Sequence, residues 1–206
     1  MNRAGAVVLA AALAVLVRGE VFAQDKPPAQ ATQVCAACHG VDGNSVAAAN
    51  PKLAGQLAEY LQKQLRDFMP QKGKKPLRES AVMNGMVANL SDTDIQALAS
   101  YYAAQPLKPA AAKDKSLAAE GEKLWRGGDA QRGVPACNGC HGPNGAGIPA
   151  QFPRLAGQFS EYIVAQLQAF RSGTRANDPG GMMRGVAAGL TDAQIRALAE
   201  YIAGLR

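Results

Sequence analysis

Apolar residues recur along this 206-residue chain at helical spacing, and no run alternates in the manner of a half-buried strand. Leu57, Leu61, Leu65 and Phe68 form one stripe and predict a helix over 55–69. Ile163, Leu167 and Phe170 form a second stripe and predict a helix over 157–171. Ile95, Leu98, Ala99 and Tyr102 follow the i, i+3, i+4, i+7 pattern of a buried helix face, as do Ile195, Leu198, Ala199 and Ile202. Ser91 and Thr191 stand before these two stripes as N-caps, with an aspartate in each first turn. The Gly/Asn/Pro-rich stretches 40–51 and 142–153 read as loops. The pattern is that of an all-α protein.

The same pattern occurs twice. Pro51-Lys52-Leu53-Ala54-Gly55-Gln56 returns as Pro153-Arg154-Leu155-Ala156-Gly157-Gln158, and Tyr60, Gln64, Leu65 and Phe68 return as Tyr162, Gln166, Leu167 and Phe170, all at an offset of 102. Met83, Gly85, Leu90, Asp92, Ile95, Leu98, Ala99 and Tyr101 return at an offset of 100, so a two-residue deletion falls between Phe170 and Met183. Two tandem domains are expected, at 24–104 and 116–206, joined by a Pro/Ala/Lys-rich linker at 105–115. Each lobe is small for an independent hydrophobic core. Residues 1–23 read as a secretory leader: a basic start at Arg3, an unbroken apolar or small run from Ala4 to Val17, and a Val21-Phe22-Ala23 cleavage site. That run falls short of the roughly 20 residues a spanning helix needs, so the mature chain is expected in the periplasm without a transmembrane segment, peripheral on the membrane at most.

Every cysteine and histidine lies in one of two runs, Cys35-Ala36-Ala37-Cys38-His39 and Cys137-Asn138-Gly139-Cys140-His141. C-x-x-C-H is the attachment motif of c-type haem: two thiols form thioethers with the haem vinyls, and the following imidazole reaches the iron. A zinc site would need both runs folded together, and a thioredoxin-like dithiol expects a strand–helix–strand setting that neither run has. Two covalent haem c groups are therefore expected, on Cys35 and Cys38 and on Cys137 and Cys140, with His39 and His141 as axial ligands. No cysteine then remains for a disulfide, although the exported compartment would permit one.

No histidine is left for the second axial position, which falls to Met, Lys, another weak donor or nothing. Met83 and Met183 match each other in the repeat and are favoured as ligands. Met69, Met86 and Met182 have no counterpart and read as packing. A thioether ligand raises the reduction potential, and a six-coordinate iron has no open position, which suits an electron carrier and not a catalyst. Pro51 and Pro153 each lie 12 residues past a histidine, where a backbone carbonyl could take the imidazole N–H. Lys52, Arg154 and Arg184 are candidate partners for haem propionates. Lys72, Lys74 and Lys75 form a basic loop that could steer acidic redox partners.

The net charge of +6 becomes +5 once Arg3, Arg18 and Glu20 leave with the leader, and the propionates lower it further. Lys and Arg are scattered, with no basic stripe carrying aromatics, which excludes nucleic-acid binding as the main role.

These features together resemble the cytochrome c4 family of dihaem class I cytochromes c. The carriers are the two CxxCHG runs, the two Pro-(Lys/Arg)-Leu-Ala-Gly-Gln segments, Gly121-Glu122-Lys123-Leu124 with Trp125-Arg126-Gly127-Gly128, and Met183-Arg184-Gly185-Val186-Ala187-Ala188. The resemblance implies two cytochrome c class I domains, axial ligation by Met83 and Met183, and single-electron transfer between redox protein donors and acceptors such as membrane-bound terminal oxidases. Alternatives are the dihaem subunit of an oxidoreductase of the flavocytochrome c sulfide dehydrogenase type and, more distantly, a dihaem peroxidase. One departure stands out. The second lobe has a helix at 116–126 before its haem motif, but Pro27-Pro28 interrupts the matching segment, and Trp125 aligns with Ala23. A short or missing first helix, a more exposed first haem and unequal potentials are expected.

Overall fold

A computed structural model describes residues 26–71 and 73–206; the leader expected at 1–23 lies outside these residues. The first lobe enters at Pro27-Pro28, turns helical at Ala29 and runs through a π-helical stretch, Ala31–Cys35, directly into α1 (Ala36–His39). It continues with α2 (Ala58–Phe68), α3 (Met83–Val87) and α4 (Asp92–Ala104). The second lobe repeats the plan with α5 (Lys115–Gly127), α6 (Asn138–His141), α7 (Ser160–Ser172), α8 (Met182–Ala188) and α9 (Asp192–Gly204). Among the described residues the β structure amounts to isolated bridges.

The predicted helices form, with one displacement. α2 and α7 start three residues later than their stripes suggested, because Gly55 and Gly157 hold left-handed φ values of 65° and 74°. Those turns bring the glycine N–H groups onto the last helix of each lobe, at 3.0 Å from Tyr102 O and from Ile202 O. Both last helices carry full capping boxes. The Ser91 hydroxyl accepts from Asp94 N while Asp94 accepts from Ser91 N, and Thr191 and Gln194 do the same.

Each lobe keeps its own core. In the second, Trp125, Val134, Ile163, Leu190, Ile195, Leu198, Ala199 and Ile202 are buried together, with Trp125 fully inaccessible. α5 lies so close on α9 that a Cβ at Gly121 would collide with Ala197 O. In the first, Ala31, Leu61, Leu98, Ala99, Tyr101 and Tyr102 form the cluster, so the π-helical entry covers α4 where the second lobe uses a whole helix. The opening helix is thus short, as Pro27-Pro28 suggested.

The segment between α4 and α5 is strapped to both lobes. Asn44 accepts from Lys108 N and donates to Pro106 O, Ala110 N donates to Gly157 O, and the Glu200 carboxylate accepts from Lys113 N and Asp114 N. The lobes themselves meet across a polar seam with approximate two-fold symmetry. Arg78 donates to Gln64 Oε1, Tyr162 Oη and Gln166 Oε1; Arg175 donates to Gln166 Oε1, Tyr60 Oη and Gln64 Oε1. Each guanidinium also lies over a ring of its own lobe, Arg78 at 4.5 Å from Phe68 and Arg175 at 4.4 Å from Phe170.

Candidate haem-binding sites

Each haem motif ends a short helix, which decides where its groups point. Cys35 closes the π-helical stretch and Cys38 and His39 lie in α1; Cys137 caps α6, which carries Cys140 and His141. None of the four cysteines is joined to another, which leaves all four for thioether attachment; in each lobe one is half-buried and one exposed.

His39 Nδ1 lies 2.9 Å from Pro51 O, and His141 Nδ1 lies 3.0 Å from Pro153 O. A carbonyl oxygen only accepts, so Nδ1 carries the proton in both rings and Nε2 keeps a free lone pair. Burial lowers the pKa of both imidazoles, against the two carbonyls, which raise it. Both rings are therefore neutral and aimed by a fixed backbone group, the state a metal-binding imidazole requires. They are 8% and 5% exposed, so the short first helix does not open the histidine side of the first lobe. Around His141 the Trp125 ring centroid lies at 6.4 Å, and the indole N–H donates to Pro143 O.

Met83 and Met183 are half-buried, as is the unmatched Met69, whereas Met86 and Met182 beside them are exposed by 53% and 42%. Both matched residues sit in the first turn of a short helix. In the first lobe Asn84 fastens that helix by donating to Phe68 O and Arg78 O. In the second, Arg184 does so through both its backbone N–H and its Nε to Asp178.

That contact ties one side-chain N–H of Arg184, the Nε, to Asp178. Lys52 is also engaged, donating to Ser45 O and lying 4.6 Å over the Phe159 ring. Arg154 Nε is buried without a partner, which fits an acidic ligand edge. Lys74 and Lys75 are exposed, Lys75 within 3.5 Å of Glu79; Lys72 lies outside the described residues. The donor set as a whole fits two haem c groups: two cysteines in each CxxCH run with no disulfide between them, a neutral buried imidazole beside each pair, a half-buried thioether, and the unpartnered N–H of Arg154. Sequence reasoning missed Arg78 and Arg175. They are equivalent across the seam but lie 97 residues apart, outside the repeat's register; the available signal was that each is the sole arginine between its second helix and its matched methionine.

The comparisons agree with this geometry. The cytochrome c family model matches residues 25–104 and 118–206. Cytochrome c4 of Thiocapsa roseopersicina is 50% identical over 179 residues, covering 86% of this chain and 90% of that protein. A thiosulfate dehydrogenase electron acceptor of Thiomonas intermedia is 44% identical, covering 86% of this chain and 80% of that one. Among solved structures, reduced recombinant cytochrome c4 from Pseudomonas stutzeri superposes with a TM-score of 0.79 at 48% identity, over 84% of this chain and 94% of that chain. Two tandem haem-c lobes, each built around its own CxxCH run, make this chain a dihaem electron-transfer protein that belongs to the cytochrome c family and, within it, to the cytochromes c4.

Proposed function

We propose that the chain is a periplasmic carrier that holds one iron between His39 and Met83 and the other between His141 and Met183. The observation that carries this reading is the shared geometry of the two lobes. In each, Nδ1 is committed to a proline carbonyl, Nε2 is free, and the methionine in register is less exposed than the unmatched methionine beside it, Met86 or Met182. A bound haem supplies a one-electron couple. The protein's own part would be to keep each imidazole neutral and oriented, to offer a soft thioether as the further ligand, and to hold the two lobes in one fixed arrangement. Pro51 and Pro153 act on the irons through the histidines. The first domain then runs over 24–104 and the second over 116–206. No helix among the described residues is long and apolar enough to cross a membrane, which supports a carrier that meets its partners at their surfaces.

Its acceptors on this reading are membrane-bound terminal oxidases and other periplasmic redox proteins. A second role, as electron acceptor of one particular dehydrogenase, is favoured by the similarity to the thiosulfate dehydrogenase electron acceptor. Rapid mixing tests the choice. The fully reduced protein is expected to lose both electrons to oxidase-containing membranes within the turnover time of the oxidase. Failure there, with fast reduction by a thiosulfate-oxidising partner that co-purifies with it, would assign it to the second role.

A further inference from the structure

The peptide group that holds each histidine is itself held from the opposite lobe. The peptide between Pro51 and Lys52 uses both of its polar atoms: its C=O accepts from His39 Nδ1 at 2.9 Å, and its N–H donates to Gln158 Oε1 at 2.9 Å. The peptide between Pro153 and Arg154 mirrors it, accepting from His141 Nδ1 at 3.0 Å and donating to Gln56 Oε1 at 2.9 Å. Each carboxamide adds a second bond to the same residue, Gln158 Nε2 to Lys52 O and Gln56 Nε2 to Arg154 O, both at 2.9 Å. Gln56 and Gln158 are 9% and 8% exposed, so water hardly competes for these bonds.

Hydrogen bonds in a chain polarise one another. When an amide N–H donates, electron density moves onto the carbonyl oxygen of the same amide, which becomes a better acceptor. A better acceptor at Nδ1 draws that proton away from the ring and makes the imidazole more basic at Nε2. A more basic axial ligand favours ferric over ferrous iron. We propose that Gln158 sets the ligand strength of His39 and that Gln56 sets that of His141, so that each haem's potential is tuned by a positioning residue of the other lobe. The proposal rests on the reading of His39 and His141 as iron ligands.

The test is made on the intact dihaem protein with Gln158→Leu and Gln56→Leu. Spectroelectrochemistry gives the two potentials, and the haem methyl and axial imidazole Nδ1–H resonances in proton NMR say which haem each belongs to. Gln158→Leu is expected to raise the potential of the haem on Cys35 and Cys38, to move the His39 Nδ1–H resonance upfield, and to leave the other haem in place. Gln56→Leu is expected to do the reverse. A shift confined to the substituted residue's own lobe, an equal shift of both haems, or no shift overturns the proposal. Gln158→Glu supplies an independent check, because it keeps an acceptor for Lys52 N–H in either protonation state. It must leave the His39 Nδ1–H resonance at its wild-type position or downfield of it, because a carboxylate accepts at least as strongly as a carboxamide, and an upfield displacement as large as that of the leucine variant contradicts the proposal. Wild-type spectra showing no histidine on either iron would sink the underlying ligation; intact histidine signatures with uncrossed shifts would sink only the tuning.

Discussion

Met83 and Met86 lie three residues apart in one short helix, and only the first has a counterpart in the other lobe. That made the candidate ligand legible in the sequence: the repeat selects Met83 and Met183 among five methionines of the mature chain, and the structure leaves the unmatched Met86 and Met182 exposed. Arg78 and Arg175 escaped the same method. Their loops differ in length on both sides, and a guanidinium at the end of a long side chain reaches the same place from different backbone positions. The haem loops also carry individual charges whose effect on stability has a definite sign. The Lys108 ammonium, through its hydrogen bond to Asp42, holds that carboxyl at about 2, below its ordinary value of 3.8. A depressed carboxylate stabilises the fold above its ordinary pKa and loses that contribution as pH falls toward the folded value. The pair is well exposed, so its worth is below about 1 kcal/mol. Asp42→Asn is therefore expected to be slightly less stable than wild type at pH 7, with most of that difference gone at pH 2. Denaturant unfolding of both proteins at the two pH values checks this; a difference that persists undiminished at pH 2 would show that charge pairing is not its source.

The long helices were legible because their stripes and caps agree: Ser91 and Thr191 mark the starts of α4 and α9. The starts of α2 and α7 were misplaced because the apolar stripe runs on through glycines whose backbone is left-handed. The π-helical entry of the first lobe had no signal beyond Pro27-Pro28, since five residues make about one turn and a single turn shows no period. Close packing between α5 and α9 gives the sharpest prediction at this scale. Gly121→Ala places a methyl group against the Ala197 carbonyl, with no flexible side chain to yield, and α5 must move. Overpacking of this kind costs about 1–3 kcal/mol or more. The single tryptophan, Trp125, sits one turn along α5 and reports the loss by fluorescence during denaturant unfolding. A variant as stable as the native protein would mean that α5 and α9 do not approach this closely.

At the scale of the molecule, the two-fold seam explains why a repeated sequence makes one protein and not two beads on a string. The matched residues Tyr60, Gln64, Tyr162 and Gln166 look like ordinary helix positions in the sequence, and only the assembled lobes show them meeting around Arg78 and Arg175. Burial would raise the Tyr60 hydroxyl pKa, but the adjacent Arg175 and Arg78 charges hold it below its usual value, a mark of how cationic the seam is. Sequence alone could not disclose this, because which faces of two similar lobes meet is a property of the pair. The central claim concerns both lobes at once: two covalent haems, each closed by a histidine and a methionine, make a carrier with no open iron. The absorption spectrum of the purified protein, ferric and then reduced, with and without carbon monoxide, tests it most directly. A far-red thioether–iron band scaled to two haems and no response to carbon monoxide are expected; a high-spin component, or carbon monoxide binding at either haem, would mean that an iron is open and that its methionine is not a ligand.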